Sequence, residues 1–186
     1  MTTIVGISGS LRRGSYNTSL LRAAAQLMPN NAQLRIETIR EIPPHDGDFE
    51  AAEGIPQPVA ALKEAVASPD GLLLATPEYN NSIPGVFKNA IDWLSRPPAD
   101  IRRVFGGTSV APIGASPGNF GTILSQTAWL PVLRTLGAEL WSGGRLLVSR
   151  AQGIFDEAGT LTDTAMKDRL REFLHGFVDF ASSHNH

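Results

Sequence analysis

Residues 8–21 read SGSLRRGSYNTSLL, with small hydroxyls, two glycines and an arginine pair lying between the apolar run IVGIS and a segment of helical spacing. Hydroxyls, guanidinium groups and the free amides of a helix N-terminus together suit an anion. Gly9 and Gly14 have the spacing of a P-loop, but Ser15-Tyr16 stands where the Lys-Ser/Thr pair should follow, so the terminal phosphates of a nucleoside triphosphate have no lysine. Gly6, Gly9 and Gly14 also miss the G-x-G-x-x-G spacing of a dinucleotide turn. What remains is a cup for a phosphate monoester, which needs neither lysine nor magnesium, with Asn17 or Thr18 as the expected helix cap.

Two further segments share this character. Pro77-Glu78-Tyr79-Asn80-Asn81-Ser82-Ile83-Pro84-Gly85 places an aromatic ring and hydrogen-bonding side chains between two stiffening prolines, an arrangement suited to a heteroaromatic ligand. In Ala115–Gly121, Gly118 and Gly121 allow close backbone approach, and Phe120 adds a second ring. No side-chain set resembles a nucleophile with its base. The absence of cysteine removes thiolate metal sites and disulfides. Of the four histidines, His45 falls in a loop, His175 on a helix, and His184 and His186 at the chain end, so no metal site is expected.

The elements that hold these loops follow from the alternation of apolar runs with helical patterns, which predicts βα units and a parallel sheet covered on both faces. Strands are expected near Thr3–Ser8, Leu34–Ile39, Gly71–Thr76, Ser109–Ala115 and Glu139–Val148. Helical spacing joins Leu20, Ala24 and Leu27, then Val59, Leu62 and Val66, then Ile91 and Leu94 within Val86–Ser95. Met166, Leu170, Phe173, Phe177 and Phe180 form the clearest stripe. Pro112 should lie at an edge or bulge, and Pro131 should kink or break a helix running from Gly121 to Leu136 near Leu130. Pro43–Pro58 reads as a long surface loop. Each of the three chemical segments then falls after a strand, at the carboxyl edge where open parallel sheets bind ligands.

At 186 residues, with 42% hydrophobic and 18% charged residues and a formal charge of −2, residues 1–186 are expected to form one domain with no field to attract nucleic acid or an acidic membrane. No stretch is long and apolar enough for a membrane helix, and no leader pattern opens the chain, so a cytoplasmic location is expected.

GSLRRGSYN, TPEYNNSIPGVFKNAIDW and SPGNFG resemble the three flavin loops of the NADPH-dependent FMN reductase family, whose relatives include chromate and quinone reductases. The resemblance spans nearly the whole chain and becomes generic after Ser142. It implies a three-layer α/β, flavodoxin-like fold with five parallel strands ordered 2-1-3-4-5, FMN at the strand ends, and a homodimer or homotetramer. It further implies that Ser10, Arg12, Ser15, Asn17 and Thr18 hold the FMN phosphate. Pro77, Glu78, Tyr79, Asn80 and Ser82 would border the flavin ring, largely through backbone groups, and Ser116, Gly118, Asn119 and Phe120 would complete the pocket. Lys88, Asn89, Asp92 and Trp93 are read as packing and helix positioning.

The implied activity is hydride transfer from NADPH or NADH through FMN to a quinone or another small acceptor, chromate and ferric species included. Arg102 and Arg103 are candidates for a 2′-phosphate, against the plainer reading of solvated surface. A flavodoxin-like electron carrier without a pyridine-nucleotide site is the alternative, although such carriers are strongly acidic and hold phosphate with a threonine-rich loop. A colourless phosphate-binding regulatory module is a third.

Overall fold

Alternation along β1 (Thr2–Ser8) sends Val5 and Ile7 to one side of the backbone and Ile4 to the other, and all three are fully buried. A strand with two buried faces must be interior, and in this computed structural model, which describes residues 1–183, β1 lies between β2 (Ala32–Thr38) and β3 (Gly71–Ala75). β4 (Ser109–Ala115) follows, and its outer side is shared by β5 (Glu139–Leu140) and β6 (Leu146–Val148). Every pairing is parallel, in the order β2-β1-β3-β4-β5.

One face of the sheet, including Ile4, Leu73 and Ile113, packs on α1 (Tyr16–Leu27) and α7 (Thr164–Ser183). The other, including Val5, Leu72 and Val110, packs on α3 (Gln57–Ala67), α4 (Gly85–Leu94), α5 (Ile101–Phe105) and α6 (Ile123–Leu136). This is the expected three-layer flavodoxin-like arrangement. Ser8 stands in register with both Thr38 and Ala75, so the loops after β1 and β3 leave the same edge. The chain runs outward from β1 to β2 and returns to β3, which opens a crevice at the β1/β3 switch point.

Several local expectations change. Glu139–Val148 is two short strands, because Trp141–Arg145 leaves the sheet and Trp141 packs on Phe173 and Phe177 of α7, with ring centroids 4.7 and 5.8 Å away. Pro112 lies in an interior strand, yet it faces the interval between Leu140 and Leu146, where no strand waits for the missing N–H. Pro131 leaves α6 unbroken, and the helix begins at Ile123 rather than Gly121. Pro43–Pro58 contains a short helix, α2 (Gly47–Glu53), capped by the Asp46 carboxylate on the amides of Asp48 and Phe49. His184 and His186 lie outside the described residues. Among the described residues no helix is long and apolar enough to cross a membrane, and no cluster suited to a metal ion is present.

Candidate functional site

The β1–α1 loop ends in a cap made by Ser15, correcting the expectation for Asn17 or Thr18. Ser15 has extended backbone angles, and its Oγ accepts from Thr18 N at 3.3 Å. The other two side chains are drawn elsewhere. Asn17 is buried and bridges to the end of β4, its Nδ2 donating to Ala115 O and its Oδ1 accepting from Ala115 N, both at 2.9 Å. Thr18 Oγ1 pairs with Ser8 Oγ at 2.8 Å. The amides of Tyr16 and Asn17, in the first turn of α1, have no acceptor within the helix. Gly9 has a packing reason: a Cβ there would lie 2.1 Å from the ring of Phe87, the buried residue that seats α4 beneath the loop.

The β3 loop folds back as a tight hairpin. Tyr79 and Ser82 exchange both backbone hydrogen bonds, 3.1 and 3.0 Å, and the central residues Asn80 and Asn81 have φ of 50° and 62°, as a type I′ turn requires. Glu78 is a brace: its Oε2 accepts from Leu124 N at 2.8 Å and Ser125 N at 3.1 Å, capping α6 where Thr122 supplies no side-chain cap. A carboxylate suits that position because the helix N-terminus carries partial positive charge. Below it, Thr76 Oγ1 donates to Pro77 O, accepts from Trp129 Nε1 and pairs with Ser125 Oγ, all buried. Asn89 and Trp93 of α4 both donate to Pro43 O, at 2.8 Å, and Lys88 pairs with Asp92 at 2.6 Å, in keeping with their positioning role.

In the β4 loop, Ser116 Oγ donates to Gly121 O at 2.7 Å. Gly118 O and Asn119 Oδ1 accept from Arg150 N and Nε, at 2.9 and 3.0 Å. Arg150, itself left-handed with φ 49°, escaped sequence reasoning because it lies beyond the family-like segments. The rings remain available, Tyr79 at 47% and Phe120 at 78% exposure.

A continuous cleft joins these loops: Ser10, Arg12, Ser15, Tyr16 and Asn17 line one end, Pro77, Glu78 and Tyr79 the middle, and Ala115, Ser116 and Pro117 the far wall. Tyr16 and Pro117 were not anticipated. Of the expected residues, Asn80, Ser82, Gly118, Asn119 and Phe120 belong to the bordering loops, and Thr18 faces a neighbouring cavity instead. Arg102 and Arg103 lie in α5, just before β4 begins, at the opposite edge of the sheet, and Arg103 pairs with Glu64 at 2.9 Å and Asp100 at 3.6 Å. They are therefore no part of this cleft.

First-turn amides and a guanidinium at one end of the cleft, with prolines, a tyrosine and loop backbone toward the other, suit a ligand with a phosphate at one end and a planar ring system at the other. Together with the strand order, this defines a flavodoxin-like FMN protein. The NADPH-dependent FMN reductase family profile matches residues 2–153, and the chain belongs to that family. It is 40% identical over 171 residues to an NAD(P)H-dependent FMN reductase of Pseudomonas aeruginosa, covering 92% of this chain and 90% of that one. It is 35% identical over 176 residues to a 2-hydroxy-1,4-benzoquinone reductase of a Burkholderia species, covering 95% and 92%. The solved structure of FerB, a flavoenzyme NAD(P)H:(acceptor) oxidoreductase of Paracoccus denitrificans, superposes with a TM-score of 0.87 at 31% identity, covering 99% of each chain. The protein is an oxidoreductase with FMN as cofactor and a reduced pyridine nucleotide as donor.

Proposed function

We propose that residues 1–186 form one cytoplasmic flavin domain that reduces small quinones, binding donor and acceptor in turn on one open surface. The observation that carries this reading is the pair of exposed rings, Tyr79 and Phe120, flanking a cleft that begins at a phosphate cup. When bound, FMN would supply the redox chemistry, as hydride acceptor toward the nicotinamide and source of reducing equivalents for the quinone. Ser10, Arg12, Ser15 and the amides of Tyr16 and Asn17 hold its phosphate. Pro77, Glu78, Tyr79, Asn80 and Ser82 border its ring through the backbone of the hairpin, with Ser116, Gly118, Asn119 and Phe120 opposite. The braced loops would hold the ring in a fixed orientation toward its substrates, and orientation of this kind supplies much of the rate. A quinone-reducing relative and an apolar hollow formed by Leu11, Ile42, Pro44 and Val86 beside the β1 and β3 loops support a flat, weakly polar acceptor.

One planar surface cannot hold two planar substrates, so the oxidised nucleotide leaves before the quinone enters. Initial rates at several fixed quinone concentrations should give parallel double-reciprocal lines, with competitive substrate inhibition at high quinone. Tyr79→Ala should slow both half-reactions. Intersecting lines would mean a ternary complex and would end the shared-surface reading.

A further inference from the structure

On the β2 side of the β1–α1 loop lies a second cavity, of about 400 Å³, that shares Ser10 and Arg12 with the flavin cleft. Arg12, Arg13, Arg22 and Arg40 line it, with Glu37 the single carboxylate among its lining residues. Among the described residues none of these four exposed arginines enters an ion pair, so their charges are available to a ligand. Arg40 is oriented toward the loop, its Nη2 donating to Leu11 O at 2.9 Å, which leaves further guanidinium donors free. Even with Glu37, and with Arg12 turned to the FMN phosphate, the arginines leave the cavity with an excess of positive charge that favours an anion, in a chain whose net charge is −2. The planar fork of arginine matches a phosphate bidentately.

We infer that this cavity holds a phosphate of the donor, the 2′-phosphate of NADPH, and so sets preference for NADPH over NADH. The inference rests on the reductase reading above. FMN carries one phosphate, and the Ser15 cap and first-turn amides accommodate it on the other side of the loop. The cavity adjoins the cleft through Ser10 and Arg12, and of the ligands of this reaction NADPH alone carries a phosphate monoester beyond the one FMN already places in the cup. The expectation placed on Arg102 and Arg103 thus passes to Arg13 and Arg22.

The test uses the FMN-loaded protein and its Arg13→Gln/Arg22→Gln variant, both changes being at exposed positions. Calorimetric titration with 2′,5′-ADP, 5′-AMP and inorganic phosphate reads binding apart from turnover. The unaltered protein should bind 2′,5′-ADP more tightly than 5′-AMP. The variant should lose about tenfold or more in 2′,5′-ADP affinity, and its NADPH KM should rise by about the same factor, the scale of a charge-assisted contact. Its NADH KM and FMN affinity should stay unchanged. Equal shifts for NADPH and NADH, or a loss of FMN, would overturn the assignment. So would inorganic phosphate displacing 2′,5′-ADP without affecting NADPH kinetics. Specific binding of 2′,5′-ADP by a protein whose flavin neither nucleotide reduces would leave the anion site standing and remove the reductase reading.

Discussion

Arg12 has no ion-pair partner among the described residues and lines the end of the cleft where the first-turn amides of α1 open, so its charge is free for a phosphate. Arg12→Ala should weaken FMN about ten- to a hundredfold while leaving riboflavin, which lacks the phosphate, nearly unchanged. Equal losses in a fluorescence titration of both ligands would place the phosphate elsewhere. Ser10, Arg12 and Ser15 were legible in the sequence because hydroxyl, guanidinium and helix start fall together. Asn17, Thr18 and Glu78 have the same donor and acceptor types, yet their side chains are already engaged by Ala115, Ser8 and the α6 amides. Residue type and spacing cannot reveal which oxygen is already occupied by a distant backbone.

At the scale of elements, the site depends on braces between loops that are far apart in the chain. Asn17→Ala would leave the buried N–H and C=O of Ala115 without their partner and should cost about 1–3 kcal/mol, measurable by denaturant unfolding. A loss within about 0.5 kcal/mol would show that water replaces the amide. The Pro43–Glu53 region is pinned by Glu50, whose carboxyl is held below its ordinary value of 4.5 by the hydrogen bond from Arg96 first, then that from His45, against the opposing effect of burial. Asp100 is likewise held below 3.8, chiefly by the hydrogen bond from Lys63. Because the folded state binds these protons less tightly than the unfolded one, their contribution is fully present above those ordinary values and is lost as pH falls below them through the lower folded-state values. Stability should therefore decline in the acid range, and Glu50→Gln should flatten that limb; an unaltered acid limb would remove Glu50 from the explanation. The alternation of strands and helices was legible because it depends on periodicity alone. The break between β5 and β6 was not, since Trp141–Arg145 adjoins apolar strand sequence and departs only because Trp141 finds α7. Gly143 and Gly144, where a Cβ would lie 2.6 and 2.8 Å from that indole, make room for it.

At the scale of the whole molecule, the largest apolar side chains of α4 and α6 find their place inside the chain. Phe87, Trp93 and Trp129 are fully buried within the chain. Of the large apolar residues that are exposed, Tyr79, Val86, Phe120, Leu124 and Leu130 lie on the β3 and β4 loops and the two helices that follow them. We propose that a second copy covers this face as an isologous dimer, the smaller of the two assemblies expected, with the flavin near the interface. Light scattering at micromolar concentration should give twice the mass of the chain, and a monomer would contradict it. The central claim, that this fold presents bound FMN to a pyridine nucleotide and then to a quinone, is tested most directly under anaerobic conditions. NADPH is mixed with the yellow FMN-loaded protein, and quinone follows. The visible flavin absorbance should bleach within the time of one turnover and return in full on the quinone addition. A yellow colour that persists through excess NADPH and NADH, yet yields to a chemical reductant, would identify an electron carrier and contradict the account.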